Sequence, residues 1–191
     1  MLLWMLQTEQ AISRRAPVVD EALLARIAAG DGEALESLYR QTSTAVYGFI
    51  LSIVNNEHDA EELMQDVYLR VDAAAGTYQP QGKPMAWILA IARNLALMRR
   101  RETAKNAPDG FELLEKLPAP KDLTEERVLL SAALQTLGEE ERQIVMLHAV
   151  AGLKHREIAQ MLQLTLTGTL TKYRRALAKL RRTLTEGDDH A

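Results

Sequence analysis

Apolar residues recur along this chain at helical spacing and almost nowhere at the alternation of a strand. Between residues 20 and 54 they fall at Leu23 and Ile27, then at Leu35, Leu38, Val46, Phe49, Ile50 and Ile53, with a break at Gly30-Asp31-Gly32. Intervals of three, four and seven place each set on one helical face, and the glycines separate two helices. Residues 59–75 predict a further helix with Asp59 as N-cap and Glu61 and Glu62 in its first turn, where the helix dipole favours acids. Its buried stripe is expected at Ala60, Leu63, Val67 and Val71. The segment "YQPQGKP" holds two prolines and a glycine in seven residues and predicts a loop. "MAWILAIARNLALMRRR" then resumes as a helix, with Trp87, Ile91, Leu95 and Met98 expected on one side.

The periodicity dissolves over residues 102–124, where three prolines, a Pro-Asp-Gly turn and net acidity predict a flexible acidic linker. It returns in four short helical patterns, the last of them "LTLTGTLTKYRRALAKLRRTL". On that last helix Tyr173, Ala176, Leu177, Leu180 and Leu184 form an apolar stripe. The expected fold is all-α, with two small helical domains at 20–101 and 125–185. An N-terminal extension (1–19), the linker and a short tail (186–191) complete it.

Charge sharpens this picture. The chain of 191 residues is net −3, but residues 132–191 hold 9 basic against 7 acidic side chains. Six of those bases lie between Lys172 and Arg182 with no acid among them, so positive charge gathers on one helix. With no cysteine, disulfides, thiolate metal sites and cysteine nucleophiles are excluded, and a reducing, cytoplasmic setting fits. No apolar run reaches the roughly 20 residues of a membrane span, and "MLLWML" is too short for a signal-peptide core. The four histidines are not in metal-ligand spacing and no Ser/His/Asp set is evident, so no cofactor and no enzymatic chemistry are expected.

"REIAQMLQL", a turn at Thr165 and a long basic helix make the pattern of a helix-turn-helix. The second helix begins poorly: Gly168 and the neighbouring threonines cost its first turn roughly 2–3 kcal/mol of propensity. Burial of two stripe leucines offsets this with about 3–6 kcal/mol. Small hydroxyl-bearing residues there let the backbone approach DNA closely.

"DAEELMQDVYLRV", a Pro/Gly loop, "MAWILAIARNLA", a linker and "EERQIVMLHAVAGLKHREIAQMLQL" before a basic helix together resemble the extracytoplasmic-function sigma factors of bacterial RNA polymerase. The resemblance covers about residues 20–184. It implies a promoter-recognition subunit whose partners are the RNA polymerase core enzyme, promoter DNA and an anti-sigma factor, with no membrane insertion.

By that resemblance, Glu62, Gln65, Asp66 and Leu69 dock on the polymerase. The loop from Tyr78 to Lys83, with Arg93 and Asn94, captures a flipped base of the −10 element, with positive charge available from Arg93, Arg99, Arg100 and Arg101. Thr167, Thr169, Leu170, Thr171, Lys172, Arg174 and Arg175 face the −35 element. The sequence departs from the family where the recognition helix starts: Leu170 stands where a base-contacting lysine or arginine is usual, so that position meets a thymine methyl or reads with relaxed specificity. A stand-alone helix-turn-helix regulator, dimeric on a palindromic operator, is the alternative, and it leaves the two N-terminal motifs unexplained.

Overall fold

The break at Gly30-Asp31-Gly32 separates α1 (Ala22–Ala28) from α2 (Gly32–Val54) in the computed structural model, which describes residues 17–106 and 133–188. Gly30 takes φ +85°, and the Asp31 carboxylate accepts a hydrogen bond from the Ala34 N–H at 3.2 Å, so the turn and the cap are made by adjacent residues. Asn55 ends α2 in the left-handed region at φ 57°. Asn56, extended at φ −141°, then caps α3 (Glu57–Ala74) by accepting from the Asp59 N–H at 3.0 Å. Asp59 is therefore not the N-cap expected from the sequence. It lies inside the first turn, and its carboxylate is used by Arg99 at 2.5 Å.

A turn of 3-10 helix (Ala75–Thr77) and the loop to Lys83 lead to α4 (Pro84–Asn106), which packs on both α2 and α3. Val46, Phe49 and Ile50 of α2, Val67 and Val71 of α3, and Ile88, Leu89 and Ala92 of α4 share one core and are fully buried. The stripe of α3 is the expected one. That of α4 is not: Met85, Ile88, Leu89, Ala92 and Ala96 point inward, whereas Trp87, Ile91 and Leu95 are half-buried and Met98 is 54% exposed. The α4 sequence is apolar around most of its circumference, so its period admits two phases. Packing selects the face with two alanines, because small residues let the helix axes approach. The helix also runs five residues into the segment expected as linker, to Asn106. The rest of that linker, and "MLLWML", lie outside the described residues.

In the second unit, α5 (Glu139–Val145) continues through a π-helical turn (Met146–Val150) before α6 (His155–Leu162) and α7 (Leu166–Asp188). Glu141 and Glu157 reach back to accept the N–H groups of Gly138 (3.2 Å) and Lys154 (2.9 Å), which fixes where α5 and α6 begin. Ile144, Leu147, Ile158 and Ala176 are fully buried, with Tyr173 and Leu180 nearly so. His148 and His155 lie against each other and meet Tyr173 edge-on, with ring centroids 4.2–4.9 Å apart, and His148 Nδ1 is 2.9 Å from the Leu153 carbonyl.

The two units touch. α2 packs on α5 and the π-turn; Met146 Cε lies so close to Gly48 that a Cβ there would approach it to 3.1 Å. Arg100 pairs with Glu139 across the junction at 2.5 Å. No strand occurs among the described residues, and no helix among them is long and apolar enough to cross a membrane.

Candidate nucleic-acid interface

The outer face of α3 follows from its inner one. Burial of Leu63, Met64, Val67 and Val71 turns Glu62, Gln65, Asp66 and Leu69 to solvent on the opposite side. Leu69 is 69% exposed among them, an apolar knob in a polar, acidic field. Glu62 is held by Arg99 at 2.7 Å and lies 3.3 Å from His58; the Arg99 hydrogen bond keeps its carboxyl below the ordinary range. Arg99 thus spends its charge on Asp59 and Glu62, and Arg100 spends its own on Glu139. Neither is free to serve the loop as the sequence suggested.

What remains for that purpose is Arg93, with Arg101 nearby. Tyr78, Lys83, Arg93 and Asn94 are brought together around one cavity of about 500 Å³, which Gln79, Gln81 and Trp87 also line. Arg93 Nε is buried without a hydrogen-bond partner. Arg93 and Asn94 also border an adjoining hollow with Arg70 and Arg101, so positive charge flanks the cavity on the α4 side. Tyr78 meets Trp87 edge-on with centroids 5.3 Å apart, which gives the cavity an aromatic wall. Its far wall is α6, through Glu157, Gln160 and Met161.

The loop owes its shape to a residue that sequence reasoning missed. Glu21, just before α1, accepts hydrogen bonds from the Tyr78 hydroxyl and from the N–H groups of Gln81 (2.9 Å) and Gly82 (2.6 Å). These donors, the Tyr78 hydroxyl foremost, hold the Glu21 carboxyl below its usual range, while burial and the facing acid push the Tyr78 hydroxyl up. Nothing local in the sequence signals a partnership between residues so far apart.

α7 explains its own weak start. The Thr165 hydroxyl accepts the Gly168 N–H at 3.0 Å, as an N-cap does, and a Cβ on residue 168 would come within 2.9 Å of that oxygen. Gly168 is thus the residue that admits the cap. Thr169 is wholly buried and donates its hydroxyl to the Thr165 carbonyl, so no atom of it is left to meet DNA; this corrects its place in the expected set. Thr167, Thr171, Arg174 and Arg175 are exposed, and Leu170 and Lys172 half-buried.

Two cations of the basic helix are already matched. Lys172 pairs with Glu140 at 2.9 Å and Lys179 with Glu141 at 2.6 Å. Burial works against the Glu141 charge, but Lys179 and the Gly138 N–H outweigh it and hold the carboxyl low. The run Glu139-Glu140-Glu141 was not singled out from the sequence. It reads there as a helix N-terminus and serves as one.

A sequence profile of Sigma-70 region 2 matches residues 38–106, and one of Sigma-70 region 4 matches residues 127–180. The chain is 30% identical over 182 residues to the ECF RNA polymerase sigma factor SigK of Mycolicibacterium vanbaalenii, covering 89% of this chain and 93% of that one. It is 31% identical over 173 residues to SigK of Mycobacterium ulcerans, covering 85% and 92%. Among solved structures, the fold is similar to CnrH in complex with the cytosolic domain of CnrY (TM-score 0.63, 24% identity, 87% of this chain and 97% of that one). It is also similar to the sigma factor RpoE in complex with the anti-sigma factor NepR from Bartonella quintana (TM-score 0.65, 21% identity, 78% and 96%).

Proposed function

We propose, because the chain belongs to the extracytoplasmic-function sigma factors of the sigma-70 family, that it directs core RNA polymerase to specific promoters and performs no chemistry of its own. The observation that carries the reading is the division of labour between the two units. The first carries most of the lining of a cavity that α6 of the second closes, with an aromatic wall, an exposed amide at Asn94 and the guanidinium-bearing Arg93. The second presents Arg174 and Arg175 on the open face of a capped helix.

An extruded base needs a shaped pocket, amide hydrogen bonds and nearby positive charge, and the first unit offers all three for the −10 strand. Duplex readout needs a helix that fits the major groove and long donors to reach base edges, which α7 offers for the −35 element. Leu69 and its polar neighbours Glu62, Gln65 and Asp66 form the docking face for the polymerase.

Each DNA grip is weak alone. At net −3, with two recognition-helix lysines matched internally, the free chain attracts duplex poorly. Polymerase supplies the missing term by holding both grips on one promoter, an effective-concentration gain. Since α6 walls the strand cavity, admission of the strand moves the second unit off the first, and the same displacement frees α7 to reach a distant duplex site. An anti-sigma factor that holds the units together would oppose that step, and a cytoplasmic location follows from the same reading.

The test is a promoter mobility shift with purified chain, with and without core enzyme, followed by run-off transcription on randomised promoter fragments. Specific binding and initiation are expected only when core is present. A tight, sequence-specific shift by the chain alone would overturn the reading.

A further inference from the structure

We propose that Glu21 is the positioning residue for the strand-capturing loop: its carboxylate, carried by the chain ahead of α1, gathers the Tyr78 hydroxyl and the Gln81 and Gly82 N–H groups and so pre-forms one wall of the cavity. This rests on the reading of that cavity as the −10 base site.

The loop has little else to define it. Residues 78–83 form no regular secondary structure, and Gly82 sits at φ +68°, a conformation that glycine reaches but does not enforce. Two consecutive N–H groups turned toward one oxygen are what an anion enforces. Glu21 Oε1 is that oxygen for both, and also for Tyr78, so one atom sets the backbone at 81–82 and the ring at 78 together. The ring, anchored through its hydroxyl, stands edge-on to Trp87 and lines the cavity.

Glu21 is itself anchored by the helix that begins at the next residue. Leu23, Leu24 and Ile27 are buried, and α1 packs against the 3-10 turn that leads into the loop. The carboxylate thus belongs to a rigid element and reaches across to a pliable one. It does not line the cavity, and three donors fix where its Oε1 stands. A loop held in place before the strand arrives avoids the ordering cost that a free loop incurs on capture.

The experiment uses the full chain with core polymerase and four variants: Glu21→Ala, Glu21→Gln, Tyr78→Phe and the double variant that combines Glu21→Ala with Tyr78→Phe. Two quantities are measured for each: affinity for core, and the rate of −10 opening from permanganate reactivity of exposed thymines. Glu21→Ala is expected to slow opening about tenfold with core affinity unchanged. Glu21→Gln keeps an acceptor oxygen where the donors converge and is expected to restore most of the rate. Tyr78→Phe combined with Glu21→Ala is expected to lose little beyond Glu21→Ala alone. Opening at the parental rate in Glu21→Ala, no recovery in Glu21→Gln, or a parallel loss of core affinity would each overturn the assignment. Failure of the parent chain to open any promoter with core would instead overturn the sigma-factor reading beneath it.

Discussion

Lys172 Nζ lies 2.9 Å from Glu140 Oε2, so the first cation of α7 is bound to α5, the helix that packs behind it. The pair is partly exposed, and its removal is expected to change stability by less than about 1 kcal/mol. Its effect on DNA is larger. Glu140→Gln releases one ammonium toward phosphate and removes a carboxylate from the same surface. With holoenzyme on promoter duplex, the plot of log affinity against log salt is expected to steepen by about 0.9, the increment for one added phosphate contact. An unchanged slope would show that Lys172 stays on its own protein whatever stands at position 140.

Leu69→Asp separates docking from folding. The side chain is 69% exposed and contributes little to the core, so the melting temperature is expected to stay within a few degrees of the parent. A carboxylate in place of the one apolar knob on the proposed docking face costs several kcal/mol of desolvation on contact, and core binding is expected to be lost. Undiminished capture of core enzyme would move the docking face elsewhere on the first unit.

Arg174 and Arg175 are exposed guanidinium groups on the first three turns of α7. Arg174→Ala or Arg175→Ala is expected to weaken −35-dependent initiation by about 1–3 kcal/mol and relax specificity where a base contact is lost. If the loss is uniform over all −35 sequences, the residue contacts phosphate. If there is no loss, α7 meets the duplex by another face.

These outcomes bear on how far the chain could be read unaided. The helix boundaries at Gly30-Asp31-Gly32, the stripe of α3 and the exposed set around Leu69 were legible, because each depends on spacing within one element. The inner face of α4 was not: its large apolar residues suggested Trp87, Ile91, Leu95 and Met98, and close packing chose Ala92 and Ala96 instead. The charge around the cavity was also misjudged. Arg99 and Arg100 look like part of a basic cluster, but each meets an acid distant in sequence. Glu21 and Tyr78 illustrate the same limit, since a pair brought together only by folding leaves no periodic trace.

Gly168→Ala reverses an ordinary expectation. Alanine for glycine inside a helix stabilises by about 1 kcal/mol. Here the new Cβ meets Thr165 Oγ1 at 2.9 Å and displaces the cap, which is itself worth about 1 kcal/mol, so the net change in urea unfolding is expected near zero. In a Thr165→Ala background the cap is already absent, and Gly168→Ala is expected to recover its full gain. Equal effects in the two backgrounds would mean that glycine is not there to admit the cap.

Tyr68 gives the fold an alkaline limit. Its hydroxyl is buried 2.6 Å from that of Thr42, which also lies 2.7 Å from the Leu38 carbonyl. Burial pushes the phenol up from 10.0 to about 12, with Thr42 opposing. The folded chain therefore keeps a proton that the unfolded chain releases sooner. The associated stability, on the order of 2–3 kcal/mol, is fully present below pH 10 and is lost as pH rises through 12. Tyr68→Phe removes both the hydrogen bond and the titration. At neutral pH it is expected to be less stable by about 1 kcal/mol, because the Thr42 hydroxyl still has the Leu38 carbonyl. Above pH 10 the parent loses stability faster, and the difference between the two chains narrows and then changes sign. Denaturant titrations of both chains between pH 8 and about 12 measure this directly, with Tyr47 and Tyr78 common to each. A constant difference across that range would mean that the Tyr68 hydroxyl ionises as freely in the folded chain as in the unfolded one.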